Sequence, residues 1–119
     1  MADYGCMIAW DRVAIGRERK ALEVWADALD FYGKAQANGQ IDRYETLGFE
    51  SNAAHLLGCI LIHGSQQQID AFMSTNEFRA LQQQASMVVS SLTVTRFQTG
   101  QAMVDTVASF AGAIDTLGV

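Results

Sequence analysis

Two histidines, His55 and His63, and two cysteines, Cys6 and Cys59, are the chain's whole supply of imidazoles and thiols. The histidines stand at opposite ends of one apolar run, eight residues apart. At about 3.3 Å per strand residue that separates them by roughly 26 Å, on the same face but too far to share a ligand. His63 is followed by Gly64-Ser65 at the predicted start of a helix, and of the two it is the candidate for acid–base catalysis. Cys6 and Cys59 lie inside apolar runs, where burial raises a thiol's pKa and lowers its reactivity, so both read as core. No pair of Cys or His has zinc spacing. Gly58 and Gly64 fall in and just after a strand, away from the strand-to-helix loop that cradles a phosphate. The expectation is a protein with no metal and no cofactor.

The remaining chemistry is aromatic. Trp25, Phe31 and Tyr32 share one helical segment, Tyr44 lies on a strand, and Phe72 and Phe78 follow on later helices. Trp25, Tyr32, Tyr44 and Phe72, with Arg96 on the last strand, form a candidate ligand-binding set lining a cavity between sheet and helices. The competing reading makes these aromatics core and Arg96 a solvated or interface charge. Tyr32 and Tyr44 resist it most, because a buried phenol needs a hydrogen-bond partner.

The elements that must position these groups follow from periodicity. Residues 5–10 and 56–62 are continuously apolar, as strands covered on both faces are. Residues 41–50 and 92–98 carry Asp42, Arg43, Glu45, Arg96 and Gln98, which suits edge strands. From Gly16 an amphipathic helix places Leu22, Trp25, Leu29 and Tyr32, with Val24 and Ala28, on one side and Lys20, Glu23, Asp27 and Lys34 on the other. Asn38-Gly39 closes it, and Ser51–Ala54 reads as a turn. Ser65 with Gln68 and Ser74 with Glu77 have capping-box spacing, which predicts two short helices and a break near 74–76. After Thr99-Gly100 a last helix carries Met103, Val107, Phe110, Ile114 and Leu117 at steps of four and three. Its other side is small rather than charged, which predicts that more than one side is covered.

Composition narrows the function. The 119 residues carry a net charge of −5 with scattered Lys and Arg, which excludes a nucleic-acid partner. No apolar run approaches the ~18 residues of a membrane span, and no basic start precedes a long apolar core as in a signal peptide. Cytoplasmic residence is the expectation, with no membrane partner.

The element order is β-α-β-β-α-β plus a helix, the split βαβ pattern, and strand composition agrees: the doubly apolar strands are the two that this pattern places centrally. The fold class is therefore α+β, ferredoxin-like, with a four-stranded antiparallel sheet, a broken second helix, a domain over 1–98 and a C-terminal helix over 99–119. The helices cover one face of such a sheet, and the other calls for a second copy. In element order, strand polarity and the broken helix before Asn76-Glu77-Phe78, the chain resembles the dimeric α/β-barrel superfamily across residues 5–98. Gly16-Arg17-Glu18 through Trp25, Tyr32-Gly33 and Gly39-Gln40-Ile41 resemble small bacterial proteins of its antibiotic-biosynthesis-monooxygenase-like branch. The resemblance implies a homodimer that binds a small apolar or aromatic molecule, and transforms it as a cofactor-independent monooxygenase or isomerase would. The alternative is a non-catalytic dimeric ligand-binding or assembly module, since fold alone does not choose function.

Overall fold

A computed structural model describes residues 2–50 and 57–118. The expected turn at Ser51–Ala54, His55 and the first residue of the second apolar run lie outside them. Four strands, β1 (Tyr4–Trp10), β3 (Arg43–Gly48), β4 (Gly58–Gly64) and β6 (Thr93–Gln98), form one antiparallel sheet in the order β3-β4-β1-β6. The two apolar strands are central and the two polar ones are edges, as the sequence predicts.

Residue parity assigns the faces. Cys6 and Ile8 of β1 and Ile60 and Ile62 of β4 are buried in the core with Val24, Tyr32, Ile69 and Phe72. That face is covered by α1 (Glu18–Ala37), α2 (Gln66–Met73) and α3 (Asn76–Ser86). Met7, Cys59, Leu61 and His63 have the opposite parity and line the face that no helix covers. Burial pushes the Cys6 thiol up to about 12, against the pull of nearby Arg96, and raises Cys59 as well. Both thiols are packing groups.

Three local expectations are corrected. The first helix begins at Glu18 rather than Gly16; Gly16 is a turn residue at φ +84°, its N–H donating to the Glu18 carboxylate at 3.2 Å. Its buried line is Val24, Ala28, Tyr32 and Ala35, which leaves Leu22 70 % exposed rather than inside. The capping box at Ser65 forms in full, but α3 is capped by Thr75, not Ser74. Ser74 closes α2, donating its hydroxyl to the Asp70 carbonyl at 2.7 Å, while the Thr75 hydroxyl accepts from the Phe78 N–H at 3.2 Å. The predicted break at 74–76 stands, moved by one residue in its cap.

Two elements leave no trace in the sequence pattern. Strands β2 (Arg12–Val13) and β5 (Val89–Ser90) pair in a two-residue ladder beside the main sheet, too short for any period to show. The last helix, α4 (Gly100–Leu117), is tied to the domain at its start, where the Thr99 N–H donates to the Asp3 carbonyl at 2.8 Å. Only Ala102 of α4 is buried, and Met103, Val107, Phe110 and Leu117 are exposed. Among the described residues no helix is long and apolar enough to cross a membrane.

Candidate functional site

A cavity of about 510 Å³ lies between the helical layer and the sheet. Ile8, Trp10, Thr46 and Ile60 supply its sheet wall, Trp25 and Tyr32 its α1 wall. Leu81, Gln82 and Ala85 of α3 close it opposite, and Leu22 stands on its rim. The space exists because small residues face it. Ala21, Ala28 and Ala85 line it from the helices, and the Gly48–Gly58 pair ends the β3–β4 ladder without a side chain. A Cβ at Gly58 would lie 2.5 Å from the Leu47 carbonyl oxygen, so this close pairing keeps the floor bare.

The wall is largely apolar and aromatic. Trp10 meets Trp25 edge to face at 5.7 Å between ring centres. The clearest polar feature is a bond between α1 and α3: the Gln82 Nε2 donates to the Tyr32 hydroxyl at 2.9 Å. Desolvation raises the Tyr32 phenol above its ordinary range, with Gln82 opposing in part. Tyr32 is therefore a neutral hydrogen-bond donor at any working pH, not a base.

The candidate ligand-binding residues separate. Trp25 and Tyr32 line the cavity. Tyr44 packs behind Tyr32 at 6.0 Å, and Phe72 is fully buried against Phe31 and Phe78 at 5.5 and 5.3 Å. Arg96 is ion-paired with Asp70 in a separate groove beside Tyr4, Gln98 and Met103. Sequence reasoning missed Trp10 and Gln82. Trp10 has the parity of Cys6 and Ile8, and Gln82 follows Phe78 by one helical step of four, so both signals were present.

His63 does not face this cavity. Its Nε2 lies 3.2 Å from the Glu45 carboxylate on the uncovered face of the sheet, and Arg43 donates to the same carboxylate at 3.3 Å. The Phe97 ring meets the imidazole edge to face at 5.2 Å, crossing β1 over Gly5, which is paired with both residues. A Cβ at Gly5 would collide with both the Phe97 ring and the Ile62 carbonyl oxygen, so only glycine admits this crossing. The arrangement buries His63 on the side of the sheet away from the cavity, where it cannot serve as a base for a ligand bound there.

The bonds from His63 and Arg43 hold the Glu45 carboxyl below its ordinary value of 4.5. A carboxyl depressed by folding stabilises the fold fully above its unfolded pKa, and loses that contribution as pH falls through its folded value. Glu45→Gln is therefore expected to lower stability at neutral pH. The gap should close as the pH is taken from about 5 to 3, followed by urea melts of both proteins. A gap constant across that range would show that the carboxylate contributes nothing through its charge.

Solved structures share the architecture. A dimeric protein of unknown function with ferredoxin-like fold from Bacteroides fragilis superposes with a TM-score of 0.60 at 8% identity, over 82% of this chain and 97% of its own. The chain has a ferredoxin-like fold. A dimeric ferredoxin-like protein of unknown function from Thermobifida fusca gives 0.58 at 14% identity, over 82% of this chain and 92% of its own. A candidate antibiotic biosynthesis monooxygenase from Caulobacter crescentus gives 0.60 at 13%, over 83% and 92%. No protein-family model and no curated protein matches the chain. These neighbours are nearly complete in the superposition while about a fifth of this chain has no counterpart in them.

Proposed function

We propose that this protein binds a small apolar or aromatic molecule in the cavity between α1, α3 and the sheet, and does so as a homodimer paired through its uncovered sheet faces. The observation that carries the first part is the cavity itself, about 510 Å³ of space walled by Trp10, Trp25, Ile8 and Ile60. It is an apolar cleft partly open to solvent, and its Trp, Ile and Leu wall offers a ligand apolar surface to cover. The second part is supported by Met7, Leu47 and Leu61 on a sheet face that no helix covers, and by the dimeric state of the Bacteroides and Thermobifida neighbours. The Caulobacter neighbour's name supports an oxygenase-like reaction on the bound molecule. The residues around the cavity favour binding over base catalysis, since Tyr32 stays protonated and His63 is across the sheet.

Both tryptophans of the chain line the cavity, so fluorescence excited selectively in the tryptophan band reports on it. Titration with 1-aminoanthracene is expected to quench that fluorescence saturably at one site per chain. Ala28→Trp and Ala85→Phe, which fill the space from α1 and α3, should weaken the probe about tenfold or more by removing the apolar area it would bury. Their melting temperatures should hold or rise. Absence of saturable binding, or equal binding in both filled variants, would refute the reading.

A further inference from the structure

We infer that helix α4 of one copy lies across the mouth of a second copy's cavity, so that each binding site is completed by its partner. The inference rests on the cavity reading and goes beyond it in naming what closes the site. Among the described residues, the large apolar side chains left exposed fall into two groups, with Val94 alone outside them. One group surrounds the mouth. Leu22, Leu47 and Leu57 line the cavity yet are 70 %, 41 % and 46 % exposed. Ile15 and Met87 adjoin them, brought together by the bond from the Ala14 N–H to the Val88 carbonyl at 2.8 Å, and Phe49 follows Gly48 of the rim. The other group is the stripe of α4, Met103, Val107, Phe110 and Leu117, with Val104 beside it.

The stripe has the anchor spacing of a helix that lies in an apolar groove. Steps of four, three, four and three through Met103, Val107, Phe110, Ile114 and Leu117 keep these side chains on one face. Its own subunit does not take that face. Helix α4 packs on none of the other elements, and Ala102 in its first turn is its one buried residue among those described. The radius of gyration is 16.7 Å, against about 13.5 Å for a compact chain of this length, as a projecting helix requires. The mouth of the same subunit is also distant. Helix α4 starts beyond Gln98, which pairs with Tyr4, whereas the mouth lies at the Trp10–Gly58 end of the sheet, about 20 Å along β1.

The occupant is a second copy because every copy carries both surfaces. A two-fold exchange covers two stripes and two mouths at once and closes, leaving neither surface free. Reach allows it when the strand ends of the two copies are reversed: the 18 residues of α4 span about 27 Å, against about 10 Å between sheets packed face to face. Charge allows it too, since the stripe carries none and Glu18 is the one charged residue of the described cavity wall.

The test places a thiol on each surface, Leu22→Cys with Phe110→Cys in one full-length chain. Both positions are exposed, and the native Cys6 and Cys59 are buried. A short bis-maleimide should join two chains into a species of twice 13.0 kDa, while either single variant gives little of it. An internally bridged monomer, or no more joined dimer than the single variants give, would overturn the exchange and leave the cavity reading in place. In Phe110→Ser, 1-aminoanthracene should bind about fivefold more weakly, and acrylamide should quench the tryptophans more strongly, because the roof has lost an anchor. Unchanged or tighter binding would overturn the roof, the second by making α4 a competitor for the cavity. If the wild type binds no probe, the cavity reading fails by itself, and the bis-maleimide result alone decides where α4 lies.

Discussion

Replacing Ile62 by Asp is expected to leave no folded protein, whereas replacing its neighbour Leu61 by Asp is expected to leave a folded monomer. Ile62 has no exposed surface and lies under α2 among Ile69, Phe72 and Tyr44. The substitution removes about 1.5–3 kcal/mol of apolar burial and adds several kcal/mol for a carboxylate with no cation beside it. A domain of this size holds roughly 5–15 kcal/mol in total. Leu61 has the opposite parity, half-buried on the uncovered face between Met7 and Glu45. An Asp there keeps its water in the isolated subunit but places like charges against each other when two faces meet. Circular dichroism should therefore show a native spectrum for Leu61→Asp and a collapsed one for Ile62→Asp. Light scattering should return the 13.0 kDa subunit mass for the first and twice that for the wild type. A wild type that scatters as a monomer at micromolar concentration, or a Leu61→Asp variant that stays dimeric, would remove the sheet face as the interface.

The sequence could not choose between those two neighbours, and the reason is physical. Alternation tells a buried face from a wet one only when the two differ, and along Cys59-Ile60-Leu61-Ile62 they do not. The same ambiguity hid the orientation of His63, which shares the parity of Cys59 and Leu61 and so points away from the helices. What differed between strands was legible: Arg43, Glu45 and Arg96 marked the edges, and the sheet order β3-β4-β1-β6 follows from them. The cavity was not legible, because it is made by what is small. Ala21, Ala28, Ala85, Gly48 and Gly58 read as filler in a sequence, and only their convergence makes a space. Trp25 and Tyr32, which lie on the cavity wall, stand out in the sequence because aromatic rings announce themselves. Gln82, a polar residue beside an apolar stripe, looked like any solvated helix position.

Removal of residues 101–119 is expected to weaken the dimer or cause aggregation, although it deletes almost nothing the single subunit buries. Helix α4 keeps only Ala102 inside the domain and presents Met103, Val107, Phe110 and Leu117 to solvent, with Ile114 half-covered. Asp105 and Asp115 are its only charges, a poor surface for a helix that stays in water. Gly112 adds a separate argument. Glycine inside a helix costs about 0.5–1 kcal/mol relative to alanine, yet a Cβ at Gly112 would meet nothing within 4 Å. Nothing among the described residues fills the space beside that glycine, which leaves the backbone open to close approach by a second copy. Each of the five large side chains is worth about 1.5–3 kcal/mol when fully buried. Even with a large part spent on the entropy of association, their loss should raise the dimer dissociation constant by orders of magnitude and lower the melting temperature. Gly112→Leu should weaken the dimer in the full-length chain by blocking the close approach, leaving the monomer fold intact. A truncated protein with unchanged mass and melting temperature would make α4 a tail of no consequence. Fast amide exchange across 103–117 in the intact protein would lead to the same conclusion, since a helix sealed in an interface opens only with the dimer.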